Sequence, residues 1–116
     1  MAVTTPAPSV VPGFEYAVRV AVSSAEPVFP EACELRADVR RFSYSTDRIA
    51  DLTTDNGGLL RIDDETVEIR ISAVQTASIS GCSVVLDLVR TDVQPENYLY
   101  LRLSLPVMSP ITRGHP

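Results

Sequence analysis

Histidine and cysteine most often carry catalysis or hold a transition metal. This 116-residue chain has one histidine and two cysteines. His115 stands between Gly114 and Pro116. A general base needs a fixed partner and a dry pocket, and that setting offers neither. A Ser/His/Asp or Cys/His arrangement would have to recruit the same histidine. Cys33, Cys82 and His115 are too few and too widely spaced for a zinc pattern. The expected class is therefore non-enzymatic, with no catalytic, cofactor-binding or metal-ligating residue assigned.

Carboxylates are more numerous. Asp47, Asp51, Asp55, Asp63, Asp64 and Glu65 crowd one third of the chain. Calcium takes several such oxygens, and Asp55-Asn56-Gly57 opens like a calcium loop. The later ligands of that loop are not at their spacing. Asp and Asn favour turns for reasons of their own, without a metal. A carboxylate pair for glycoside hydrolysis would need a groove lined with aromatic or polar groups. The three Phe and four Tyr fall mostly at strand positions. Gly57-Gly58 lies between two short strands, where a hairpin is expected instead of a phosphate cradle.

The net charge is −5 and every basic side chain except His115 is an arginine. The arginines are spread along the chain, so no basic footprint for nucleic acid is present. No apolar run reaches the length of a membrane span. The first residues, MAVTTPAPSVVPG, lack a basic stretch followed by an apolar one, so no export signal is read. Reduced cysteines are expected on that basis, although two permit one disulfide and spacing alone does not decide it.

The elements that position these residues read as strands. In Thr66 to Ile71, Val67, Ile69 and Ile71 share a face opposite Glu68 and Arg70. In Val84 to Arg90, Val84, Leu86 and Leu88 lie opposite Asp87. A period of two marks a half-buried strand, and this pair is expected at the centre of the fold. Between them Ser72 and Gln75 have capping-box spacing for one or two helical turns, which Gly81 ends. Phe14 to Val22 alternates, with Phe14, Tyr16, Val18, Val20 and Val22 on one face. Leu35, Ala37 and Val39 alternate, then Phe42 and Tyr44 continue one residue late, as a β-bulge at Arg40–Arg41 would allow. Val28 and Phe29, in the proline-bearing loop before that strand, are placed against the core. A weak strand is read at Arg48 to Thr54 and a short one at Leu59 to Ile62, with a reversal at 63–65. Tyr98 to Val107 closes the chain, with Leu99, Leu101, Leu103, Leu105 and Val107 inward and Tyr98, Tyr100, Arg102 and Ser104 outward. Pro106 places its end at a sheet edge.

About seven strands, one helical turn and no long helix predict an all-β, Ig-like antiparallel sandwich. The expected division is an extended arm at 1–13, a sandwich domain at 14–108 and an extended tail at 109–116. Pro6, Pro8 and Pro12 make the arm extended. Val10 and Val11 are its candidate grip on a neighbouring subunit. On that expectation, deleting residues 1–12 weakens assembly without lowering the melting point. Tyr98, Tyr100 and Arg102 are the second candidate contact, because Tyr and Arg are enriched at protein interfaces.

The run GGLLRIDDETVEIRISAVQTASISGCSVVLDLVRTD resembles a small β-sandwich module of tailed-phage virion proteins, of the tail-fibre, baseplate and neck type. A strand ends in Ser-x-x-Gln-Thr, a short helical turn leads to Gly, and the next strand closes on Asp-Leu. Ser72, Gln75, Thr76, Gly81, Asp87 and Leu88 carry the likeness. Aromatic residues usual after the glycine are replaced by Ser83, Val84 and Val85. The resemblance implies a structural component of a phage tail, baseplate or neck, found in the virion after synthesis in the host cytoplasm. It implies other virion proteins and copies of the same chain as partners, with no cofactor, nucleic acid or membrane. The alternatives are a capsid decoration protein and a carbohydrate-binding or adhesive sandwich for host recognition. Exposed aromatics in a loop groove would favour the last, and few are expected.

Overall fold

The computed structural model describes residues 2–3, 8–23 and 25–111. His115, the arm residues 4–7 and most of the expected C-terminal tail lie outside them. The strands are β1 (Ala2–Val3), β2 (Tyr16–Ser23), β3 (Leu35–Val39), β4 (Ala50–Thr53), β5 (Leu59–Asp63) and β6 (Thr66–Ile71). A helical turn, α1 (Ala73–Thr76), precedes β7 (Ser83–Arg90) and β8 (Asn97–Pro106). One sheet has the order β1-β2-β6-β5 and the other β4-β3-β7-β8. Every pairing of named strands is antiparallel. In immunoglobulin letters these are A-B-E-D facing C′-C-F-G, the arrangement of that fold.

The alternating strands make this packing unavoidable. Val67, Ile69 and Ile71 of β6 and Val84 and Leu88 of β7 are completely buried, and each strand is interior to its sheet. Burying such a Val, Leu or Ile side chain contributes about 1.5–3 kcal/mol. Val18, Val20 and Val22 from β2, Leu35, Ala37 and Val39 from β3, and Leu99, Leu101 and Leu105 from β8 complete one continuous core. Val28 and Phe29 are buried in it, as expected.

Three expectations are corrected. Asp55 to Gly58 is not a hairpin, because β4 and β5 belong to different sheets. The turn instead carries the chain across the sandwich. Asn56 Oδ1 accepts from the Thr53 and Gly58 amides, and a Cβ on Gly58 would come within 2.8–2.9 Å of Leu52. Phe14 lies before β2, not in it, and is exposed. No bulge continues β3 past Arg40. The strand ends at Val39, Arg40 makes a single bridge to Val85, and residues 41–44 turn outward. The Arg40 guanidinium donates to the carbonyl oxygens of Ser45 and Thr46 and to Asp38, which curls the chain away from the sheet. Phe42 and Tyr44 therefore stand in solvent as a parallel stacked pair, 5.2 Å between ring centroids.

Candidate partner-contact surface

The last strand carries one of the two non-glycine residues at positive φ among the described residues. β7 and β8 pair in register from Ser83↔Pro106 to Asp87↔Arg102, and again from Val89↔Tyr98. Between those pairs β7 has Leu88 alone, whereas β8 has Leu99, Tyr100 and Leu101. The surplus forms a bulge, and Tyr100 occupies it at φ +58°. A bulky side chain in that region is a real conformational outlier, costing roughly 1–2 kcal/mol. Leu99 and Leu101 remain buried while Tyr100 is 85% exposed. Anchoring two inward leucines on either side of the bulge is what turns Tyr100 outward.

Tyr98 and Tyr100 meet edge to face, with centroids 4.8 Å apart. The Tyr98 hydroxyl donates to Asp87 Oδ2 at 3.1 Å. Partial desolvation, and then that carboxylate, raise the Tyr98 pKa. Arg102 is opposite Asp87 in the ladder, yet its guanidinium makes no ion pair or hydrogen bond among the described residues. The sequence-predicted trio Tyr98, Tyr100 and Arg102 is thus exposed together on the outer face of an edge strand.

The other predicted grip is used within the chain. Val10 is completely buried. It makes a parallel bridge to Val107, donating to Pro106 and accepting from the Met108 amide. Ahead of it the Pro8 carbonyl accepts from the Tyr16 hydroxyl at 2.8 Å, and burial pushes that hydroxyl up to about 12. Ala2 and Val3 pair with Ser23 and Val22. The N-terminal segment therefore touches the edges of both sheets, and Val10, expected as a grip on a neighbour, is a core residue of its own chain. Val11 is half-buried beside Phe14 and Pro110 in a shallow apolar cleft. Deleting residues 1–12 would uncover the core and lower the melting point, contrary to the expectation above. Nothing in the sequence pattern of the arm distinguishes a strand that returns to its own sheet from one that leaves.

Ser72, Gln75, Thr76 and Gly81, four of the residues that carry the resemblance, build a structural joint. Ser72 Oγ accepts from the Gln75 amide, and Gln75 Oε1 accepts from the Ser72 amide. Thr76 is completely buried; its Oγ1 accepts from the Gly13 amide and donates to the Phe14 carbonyl. Gly81 stands at φ +97° with the Arg41 guanidinium against it, where a Cβ would meet Arg41 Nε at 3.1 Å.

The acidic residues are engaged in turns and pairs. Asp63 accepts from the Glu65 amide, which holds its carboxyl below the usual range. Asp64 pairs with Arg61, and Asp51 with Arg48. Among the described residues, no group of three His, Cys, Asp or Glu side chains is placed to hold a metal. Cys33 is buried and Cys82 exposed, and neither is in a disulfide. Tyr98 and Tyr100 are exposed, as expected of the outward face of β8, whereas Phe14, Phe42 and Tyr44, read with the apolar pattern, are also exposed, leaving only Tyr16 and Phe29 in the core. The late parity slip at Arg40–Arg41 was the signal for the Phe42–Tyr44 pair. No protein-family model matches the chain, and neither does any curated protein.

Proposed function

We propose that this chain is a non-enzymatic structural component of a tailed-bacteriophage particle, at the tail, baseplate or neck, acting through protein–protein contacts. Its partners are other virion proteins and copies of itself. The resemblance around Ser72 to Leu88 motivates the particle. The contact surface rests on one observation: Tyr100 is held in a strained backbone conformation and displayed beside Tyr98 and Arg102 on an edge strand. Strain of this kind persists where surrounding structure enforces it and clusters at functional positions. Tyr and Arg are also the side chains that dominate interface energetics. The bulge has a second consequence, since it interrupts an otherwise long edge that could pair indiscriminately. Contact would then run through side chains and not through an added strand.

Incorporation tests the surface. The Tyr100→Ala/Arg102→Ala double variant should fold and enter phage particles at a reduced ratio to the major capsid protein. Incorporation equal to wild type would remove this face from the assembly.

A further inference from the structure

The outer face of β4-β3-β7-β8 also holds a small polar cleft of about 220 Å³. Asp38, Arg40, Ser43, Val85, Asp87 and Arg102 line it. Two aromatic pairs adjoin its lining residues, one through the chain and one through a hydrogen bond. Ser43, one of the lining residues, lies between Phe42 and Tyr44, whose rings stack within 4° of parallel. Asp87, another, is bonded to Tyr98 of the Tyr98–Tyr100 pair. Tyr44 is 80% exposed.

We infer that this cleft is a binding site for a neutral hexose oligosaccharide. The lining has two carboxylates and two guanidiniums, so its formal charges balance. An anionic ligand would face Asp38 and Asp87, and a cationic one Arg40 and Arg102. An uncharged ligand with many hydroxyls meets neither penalty. Each hydroxyl both donates and accepts, whereas a carboxylate only accepts and a guanidinium only donates. Asp38 has Arg40 beside it, just past the end of β3, and Asp87 has Arg102 opposite it on β8, so each carboxylate acceptor lies next to a guanidinium donor that a pair of neighbouring hydroxyls can match. Hydrogen bonds to such ionised groups are the stronger kind.

Capacity for these bonds remains. Among the described residues the Arg102 guanidinium and the second oxygen of Asp87 have no hydrogen bond. Asp38 and Arg40 are fixed in place, by each other at 3.1 Å, by Arg48 on the second Asp38 oxygen at 3.5 Å, and by Arg40's bonds to the Ser45 and Thr46 carbonyls. That arrangement lowers the ordering cost of binding. A pyranose ring also has apolar C–H faces that pack on aromatic rings, and the two adjoining pairs supply them. The volume is below the roughly 300–1,000 Å³ usual for drug-sized ligands. It suits one ring in the cleft, with adjoining units lying over the aromatic pairs. The site shares Arg102 and the Tyr98–Tyr100 pair with the contact surface proposed above, so a sugar and a partner protein would compete for this face, but the assignment does not require that the chain belong to a phage particle.

Amide NMR on the full chain tests it, with maltose, cellobiose, lactose and mannobiose as probes and sialyllactose as the anionic comparison. At least one neutral disaccharide should shift amides at 40–44, 85–87 and 98–102 saturably, with a Kd on the order of 1 mM. Tyr44→Ala and Arg102→Ala should each weaken that binding about tenfold while leaving the fold's amide spectrum intact. Three results would overturn the assignment: no saturable shift with any of the four, saturable shifts unchanged in both variants, or tighter binding of sialyllactose than of lactose. Tyr44 lies outside the Tyr98–Arg102 contact patch. A Tyr44→Ala variant that loses sugar binding but enters particles normally separates this site from the assembly surface.

Discussion

Replacing Thr76 with valine removes one hydroxyl while nearly preserving the side chain's shape. That hydroxyl joins α1 to the start of β2: it accepts from the Gly13 amide at 3.1 Å and donates to the Phe14 carbonyl at 2.7 Å. The Ala73 carbonyl at 3.1 Å is the longer alternative for its single proton. In the variant the Gly13 donor and the Phe14 acceptor both lose their partner. Leaving a buried polar group unpaired costs about 1–3 kcal/mol. Gly13 and Phe14 are themselves exposed, so water can replace part of the loss, which places the expected cost at about 1–2 kcal/mol. For a domain of this size that is a fall of roughly 4–8 °C in Tm. A thermal melt measures it, and amide exchange locates it, since the Gly13 amide should lose protection. Thr76→Ser retains the hydroxyl and sheds a buried methyl, costing about 1 kcal/mol, but should keep Gly13 protected. A valine variant with wild-type Tm and unchanged Gly13 protection would refute the joint.

Three further outcomes follow from the same packing. Gly58→Ala should destabilise by about 1–3 kcal/mol in a denaturant titration, because the new Cβ meets the Leu52 Cα and Cβ at 2.9 Å. Tyr100→Gly relieves the positive-φ strain that Tyr100→Ala retains, so the glycine variant should be the more stable of the two by about 1 kcal/mol; an alanine variant that is equal or better would mean that the bulge is unstrained. Arg90 grips Asp92 through two nitrogens, at 3.0 and 2.6 Å, and holds its carboxyl at about 2, below the usual 3.8. A lowered folded-state pKa stabilises above the unfolded value and is lost as pH falls towards the folded one. Stability should therefore decline between about pH 4 and pH 2, and Asp92→Asn should flatten that part of an acid titration while lowering stability at neutral pH.

Alternation of apolar and polar residues makes the strands legible in the sequence. Val67, Ile69 and Ile71, or Leu99, Leu101 and Leu105, can face only one way if a core is to form, and those residues are buried. Ser72, Gln75 and Gly81 were equally readable, because capping and positive φ are local requirements. What escaped was the partner choice of segments with little periodicity. A valine in a proline-rich arm gives no local sign that it will be buried against Val107. Likewise, Asp55-Asn56-Gly57-Gly58 specifies a turn but not whether the following strand returns to the same sheet. The direction of Phe42 and Tyr44 depended on Arg40 reaching carbonyls five and six residues ahead, which a two-residue period cannot express. Tyr98, Tyr100 and Arg102 were legible as an outward face. The strain at Tyr100 was not, since it arises from a mismatch in count between β7 and β8.

Quantitative peptide mass spectrometry on density-purified phage particles bears most directly on the central claim. The chain should appear at a fixed ratio to the major capsid or tail protein in every preparation. Its absence from particles that contain all the other structural proteins would contradict a role in the virion.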